Sequence, residues 1–76
     1  MNNTRRKKLS RLAEQIEEIK EALEVLKEEE ESYQENMPEN LQGSERYEQA
    51  GEAIDNMDSA LESLDEAHSS IESAQE

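Results

Sequence analysis

The residues best suited to chemistry gather around the middle of the chain. Tyr33 and Tyr47 are its only aromatics. Between them stand Gln42, Gly43, Ser44 and Arg46, and close by in the pattern are Glu30, Ala50 and Gly51. Two phenol rings can stack on bases. A helix that begins at Ser44 leaves free backbone N–H groups for a phosphate. Arg46 adds a guanidinium able to hold phosphate through two parallel hydrogen bonds. Glu30 can accept from a guanine edge, and Gln42 can read another base edge. The inventory suits a nucleotide, with Arg46, Tyr47, Tyr33, Ser44, Gln42, Glu30 and Gly51 as the candidate ligand-binding residues. The same residues admit a plainer reading: the tyrosines cap a helical bundle, Glu30 reaches for solvent, and Arg46 pairs with Glu39, Glu45 or Glu48.

Other chemistries fit less well. The chain has one His, no Cys and two Gly, so there is no thiol nucleophile, no disulfide framework and no glycine-rich phosphate loop. A Ser/His/acid triad needs a preorganised depth that two helices scarcely provide. Asp65-Glu66-Ala67-His68 has the acid–x–x–His spacing of di-metal helical bundles. One His per chain, with no aligned inward carboxylate, argues against metal. His68 is better read as a polar seam residue that sets register and gives the assembly some pH sensitivity. The expectation is a protein with no catalytic residues, metal or cofactor.

The elements that position these residues follow from periodicity. In the first half Leu9, Leu12, Ile16, Ile19, Leu23, Leu26, Tyr33 and Met37 repeat at alternating spacings of three and four, broken only at Glu30. In the second half Tyr47, Ala50, Ile54, Met57, Leu61, Leu64, His68 and Ile71 do the same. Both runs match the a/d seam of a left-handed coiled coil. Pro38 pushes Met37 out of helical geometry. Gly43 is free to turn left-handed, Ser44 is a good N-cap, and Pro38 to Leu41 has room for a short helical turn. The pattern predicts helices over about 4–36 and 44–75, joined by a loop over 37–43. A loop this short makes the helices antiparallel neighbours. Leu9 is then expected to face Ile71, Leu12 His68, Ile16 Leu64 and Ile19 Leu61. Nearer the loop come Leu23 with Met57, Leu26 with Ile54, Glu30 with Ala50, and Tyr33 with Tyr47.

A hairpin of 76 residues buries too little to stand comfortably alone. Ala53, Ala60, Ala67 and Ala74 recur every seven residues beside the second seam, where they would let another helix approach. The fold class expected is all-α: an antiparallel two-helix coiled-coil hairpin that oligomerises into a helical bundle, as a dimer or tetramer.

Charge narrows the partners. Twenty-one acids oppose eight bases, for a net charge of −13. A field of that sign repels polyanions, so direct binding of a nucleic-acid polymer is not expected. Five of the eight cations (Arg5, Arg6, Lys7, Lys8 and Arg11) precede residue 12. Pairing with Asp65, Glu66 and Glu72 at the end of the second helix would account for them. No apolar run approaches a membrane span and no signal-peptide core follows Met1, so a soluble, cytoplasmic protein without membrane contacts is expected.

The stretch from Asn36 to Glu66, NMPENLQGSERYEQAGEAIDNMDSALESLDE, resembles small acidic helical proteins of phages of Gram-positive bacteria. Those proteins have a Lys/Arg-rich start, a Glu-rich first helix, a Pro–x–x–Leu–x–x–Ser–x–Arg loop and Ala–Ile–Asp-type heptads. The resemblance covers nearly the whole chain. Its specific part is Pro38, Leu41, Ser44 and Arg46, because a coiled coil has no need of those residue types in that order. The type is similar to the phage anti-CBASS sponges, oligomers that sequester cyclic oligonucleotide signals without cleaving them. The resemblance implies an anti-defence protein acting in the host cytoplasm on a ligand such as cyclic GMP–AMP. A dianion near so acidic a chain requires that Arg46, with Lys27 or the N-terminal cations of a neighbouring copy, dominate the local field.

Two alternatives belong to other classes. The dense carboxylates could mimic DNA phosphates and occupy a basic groove on a host protein, making the chain an acidic inhibitor. Or the hairpin is an oligomeric spacer with no ligand.

Overall fold

In the computed structural model, which describes residues 1–76, helix α1 spans Asn3–Glu35 and helix α2 spans Glu45–Ala74. A single 3-10 turn at Glu39–Leu41 lies between them. The boundaries fall within one residue of those the heptads imply. At about 1.5 Å rise per residue each helix runs roughly 45–50 Å, and the molecule is a rod 60 Å long and 15 by 12 Å across.

Each end has a local cause. The side chain of Asn2 accepts from the Arg5 N–H at 2.8 Å and starts α1. Pro38 lacks an N–H and restricts the residue before it, so α1 stops ahead of it. The connection is then held by Leu41 N–H donating to the Pro38 carbonyl (2.8 Å), Gln42 to Glu39 (3.2 Å) and Ser44 to Leu41 (2.9 Å). This chain of tight turns replaces the left-handed residue expected at Gly43, since no glycine has a positive φ. The Ser44 hydroxyl accepts from the Tyr47 N–H at 3.3 Å and caps α2. Glu45 and Glu48 lie in the first turn of α2, where the helix dipole favours acids.

The contact between the helices differs from the expected one by a rotation of α1. On α2 the seam is as anticipated: Tyr47, Ala50, Ile54, Met57, Leu61, Leu64, His68 and Ile71 are all buried or half-buried. On α1 only the column Leu9, Ile16, Leu23 and Glu30 of the expected seam faces inward, continued past the helix end by Met37. Leu12, Ile19, Leu26 and Tyr33, expected opposite His68, Leu61, Ile54 and Tyr47, stay 48%, 54%, 55% and 48% exposed. Their place is taken one residue later by Ala13, Lys20, Lys27 and Gln34, which are buried or half-buried. The physical reason lies in the polar partners. Lys20 pairs with Asp65, Lys27 with Asp58 at 2.6 Å, and the Gln34 amide donates to the Tyr47 carbonyl at 3.1 Å. A single partner helix covers only one flank of a wide apolar stripe, and these contacts choose the flank.

The hairpin therefore has two unlike sides. Antiparallel packing puts corresponding flanks of the two helices on the same side. One side carries Glu17, Lys20 and Lys27 against His68, Asp65 and Asp58. The other carries Leu12, Ile19, Leu26 and Tyr33 from α1, and the exposed Ala60, Ala67 and Ala74 from α2. Only Ala13 (6% exposed) and Ala50 (2%) are fully buried. No helix is long and apolar enough to cross a membrane.

Candidate ligand-binding site

At the loop end the chain forms an open groove of about 740 Å³. Its lining comes from three segments: Tyr33 from the last turns of α1, Asn36, Met37, Pro38 and Leu41 from the connection, and Ser44, Glu45 and Arg46 from the start of α2. The turn places Met37, Pro38 and Leu41 as an apolar floor. Tyr33 stands on one wall because α1 is rotated, which turns its column away from α2. The volume lies within the range of small-molecule sites, which combine an apolar lining with a few polar groups.

Three of the sequence candidates meet here: Tyr33, Ser44 and Arg46. The Ser44 hydroxyl is already engaged as the cap of α2. Glu45 and Arg46, in the first turn of α2, have backbone N–H groups with no intrahelical acceptor. The Arg46 side chain is exposed and takes part in none of the ion pairs. The pairing with Glu39, Glu45 or Glu48 offered by the plainer reading is not formed. A free guanidinium beside an aromatic wall and an apolar floor can bind a planar, anionic ligand.

The other four candidates lie outside the groove. Tyr47 is half-buried in the helix contact, where its carbonyl accepts from Gln34 and its N–H donates to the Ser44 hydroxyl. Gln42 is exposed, and its backbone N–H closes the 3-10 turn. Glu30 is half-buried in the α1 column facing α2. Gly51 packs against Gln34, so close that a Cβ would lie 3.2 Å from the amide nitrogen. The missing apolar layer at Glu30, Ala50 and Gly51 is thus not an open gap. The Gln34 amide fills it, and the small residues let the helices approach. The sequence pattern missed Gln34, together with Asn36, Met37, Pro38, Leu41 and Glu45 in the groove. Pro38 and Leu41 stood out in the sequence as part of the loop signature, but not as groove lining.

Toward the open end the cross-helix pairs dominate. The hydrogen bond to Asp65 raises the Lys20 ammonium above its ordinary value, against a smaller opposing effect of desolvation, with Glu17 adding to the rise. Asp58 raises Lys27 in the same way, and Glu31 assists. These partners leave the basic cluster at the start of α1 without its expected acids. None of Arg5, Arg6, Lys7, Lys8 and Arg11 is in an ion pair. Asp65 is taken by Lys20, and Glu72 lies 3.1 Å from His68 Nδ1. Arg6 instead donates to the Gln75 carbonyl (3.0 Å) and to the Asn3 side chain (3.2 Å). His68 Nε2 lies 3.4 Å from Glu17. No group of three or more His, Cys, Asp or Glu side chains has a geometry that could hold a metal ion.

No protein-family model matches the chain, and neither a curated protein nor a solved structure matches it. The fold and the groove define a helical hairpin with a small-molecule-sized recess at its turn.

Proposed function

We propose that the protein binds cyclic oligonucleotide signals at its loop-end groove and sequesters them without hydrolysis, acting as an anti-defence sponge of phage origin in the host cytoplasm. The observation that carries this reading is the unpaired Arg46 guanidinium on the same groove as Tyr33. Unlike the unpaired cations of the N-terminus, Arg46 lines a recess that also holds an aromatic ring. Arg46 and Tyr33 line the recess together with the apolar Met37, Pro38 and Leu41. Tyr33 stacks on a base, Arg46 holds a phosphate, and the start of α2 adds backbone donors. Met37, Pro38 and Leu41 exclude water beneath the base. In this reading the groove holds the ligand and does not turn it over. Pro38, Leu41, Ser44 and Arg46 resemble the loop of small acidic phage proteins, and the likeness of that type to the phage sponges is what favours the cyclic class within nucleotides.

The test is thermal unfolding of the purified protein against a panel of cyclic mono-, di- and trinucleotides. A ligand specific to the folded state, at a hundred times its Kd, adds about 2.7 kcal/mol. In a chain this small that raises Tm by several degrees. A rise with one or two members, lost in Arg46→Ala, supports the reading. A flat response across the panel overturns it and favours capture of a basic host protein.

A further inference from the structure

We propose that the exposed apolar side of the hairpin is the interface with a second copy laid antiparallel, so that α1 packs on the partner's α1 and the partner's N-terminal cations lie over the loop-end groove. Three observations meet here. The first is unmet burial. Leu12, Ile19, Leu26 and Tyr33 form one column at seven-residue spacing and each is about half exposed, while the hairpin fully buries only two alanines. A chain of this size needs a partner surface to complete its core.

The second is register. A column at residues 12, 19, 26 and 33 reads the same from both ends about a centre between residues 22 and 23. A two-fold axis there sets Leu12 against the partner's Tyr33 and Ile19 against the partner's Leu26. Every large side chain of the column then meets another. The exposed Ala60 and Ala67 of α2 lie on the same side and leave room for close approach.

The third is charge. The first twelve residues carry five cations and no acid, whereas Glu28 to Glu52 carries nine acids and one Arg. The N-terminal cations have no carboxylate partners within the chain. An arrangement with both basic ends together sets like charges side by side; the antiparallel one lays each basic end on an acidic one. A shallow recess formed by Met1, Arg5, Lys8, Leu9 and Leu12 opens on this same side. The two-fold turns it onto the partner's groove at Tyr33, Met37 and Arg46. Arg5 and Lys8 of one copy then supply the positive charge that a −13 chain otherwise lacks beside a phosphate. This last consequence rests on the binding reading above; the dimer itself does not.

The chain has no cysteine, so single cysteines report the geometry on the full-length protein without ligand. The expected mass by sedimentation is twice the 8.7 kDa of one chain. Ala22 is exposed, on the apolar side and next to the axis, so Ala22→Cys should form a disulfide with its own copy under mild oxidation. Leu12→Cys chains should cross-link to Tyr33→Cys chains and not to themselves. Arg5→Glu with Lys8→Glu should raise the dimer Kd roughly tenfold or more at low salt, an effect that added salt screens. A monomer at micromolar concentration overturns the proposal. So does Leu12→Cys linking to itself while Ala22→Cys stays reduced. Because none of these readouts needs a nucleotide, a flat ligand panel with positive cross-links removes the binding reading and leaves the dimer. A monomer that still binds nucleotide does the reverse.

Discussion

The side-chain amide of Gln34 lies across Gly51, with its nitrogen 3.2 Å from where a Cβ would stand and 3.1 Å from the Tyr47 carbonyl it donates to. This contact joins the two helices just below the groove. It explains why the layer with Ala50 and Gly51 has no large apolar residue: a polar side chain occupies the space and meets a backbone acceptor there. Gly51→Ala therefore has two opposed effects. Removing a mid-helix glycine contributes about 0.5–1 kcal/mol, and crowding the Gln34 amide takes much of that back. The single variant should be close to neutral by urea unfolding. In a Gln34→Ala background the same change should stabilise by about 1 kcal/mol. Equal effects in both backgrounds would show that the two side chains do not compete.

Arg46 makes no ion pair and is exposed. Arg46→Ala should leave helical content and Tm unchanged in the absence of ligand. It should weaken cyclic nucleotide binding by about 2–3 kcal/mol, roughly a hundredfold, as expected for a charged hydrogen-bonding group. Calorimetric titration of wild type and variant checks this. Undiminished binding would take the guanidinium out of the site.

Ser44 serves the fold first. Its hydroxyl caps α2 through the Tyr47 N–H, so Ser44→Ala should cost about 1 kcal/mol of stability. Ser44→Asp should restore most of that, because aspartate caps as well as serine, while placing a negative charge at the groove. The pair separates capping from ligand binding: only the alanine should melt earlier, and only the aspartate, through its charge, should bind nucleotide markedly less well than wild type.

Lys20 and Lys27 have their ammonium groups raised by the hydrogen bonds to Asp65 and Asp58. A lysine raised on folding contributes its full stabilisation below its unfolded value and loses it as pH climbs through the folded one. The margin of wild type over Lys20→Met/Lys27→Met should therefore be constant at neutral and mildly alkaline pH. It should close above about pH 10.5, the ordinary lysine value. Methionine keeps most of the apolar stem, so the comparison reports charge. A margin that persists at higher pH would assign it to packing alone.

Much of the architecture was legible because local signals agree. The three-four spacing of Leu9 to Leu26 and of Tyr47 to Ile71 encodes two helices and the seam of α2. Pro38 and Ser44 mark where one helix ends and the next begins, since each acts on backbone geometry within a few residues of itself. These are properties that a residue carries with little regard to what lies across from it. The candidate site was legible only in part. Tyr33, Ser44 and Arg46 reach one groove because all three flank the turn. Tyr47 and Gly51 are drawn instead into the helix contact.

What only the tertiary structure decided is the rotation of α1 and everything that follows from it. A heptad written as Leu9, Leu12, Ile16 and Ile19 states that a helix has an apolar stripe. It does not state which edge of the stripe meets the first partner helix. That choice depends on cross-helix partners: Lys20 with Asp65, Lys27 with Asp58 and Gln34 with Tyr47 and Gly51. The lysines and their aspartates both recur at seven-residue spacing, a signal present in the sequence but without meaning until the helices are set side by side. Once those pairs form, Asp65 is no longer free for the basic N-terminus, Tyr33 swings to the groove, and one apolar face is left open. Periodicity determines the elements because backbone geometry is local. The faces they present are decided by long-range pairing, which spacing along one helix does not encode.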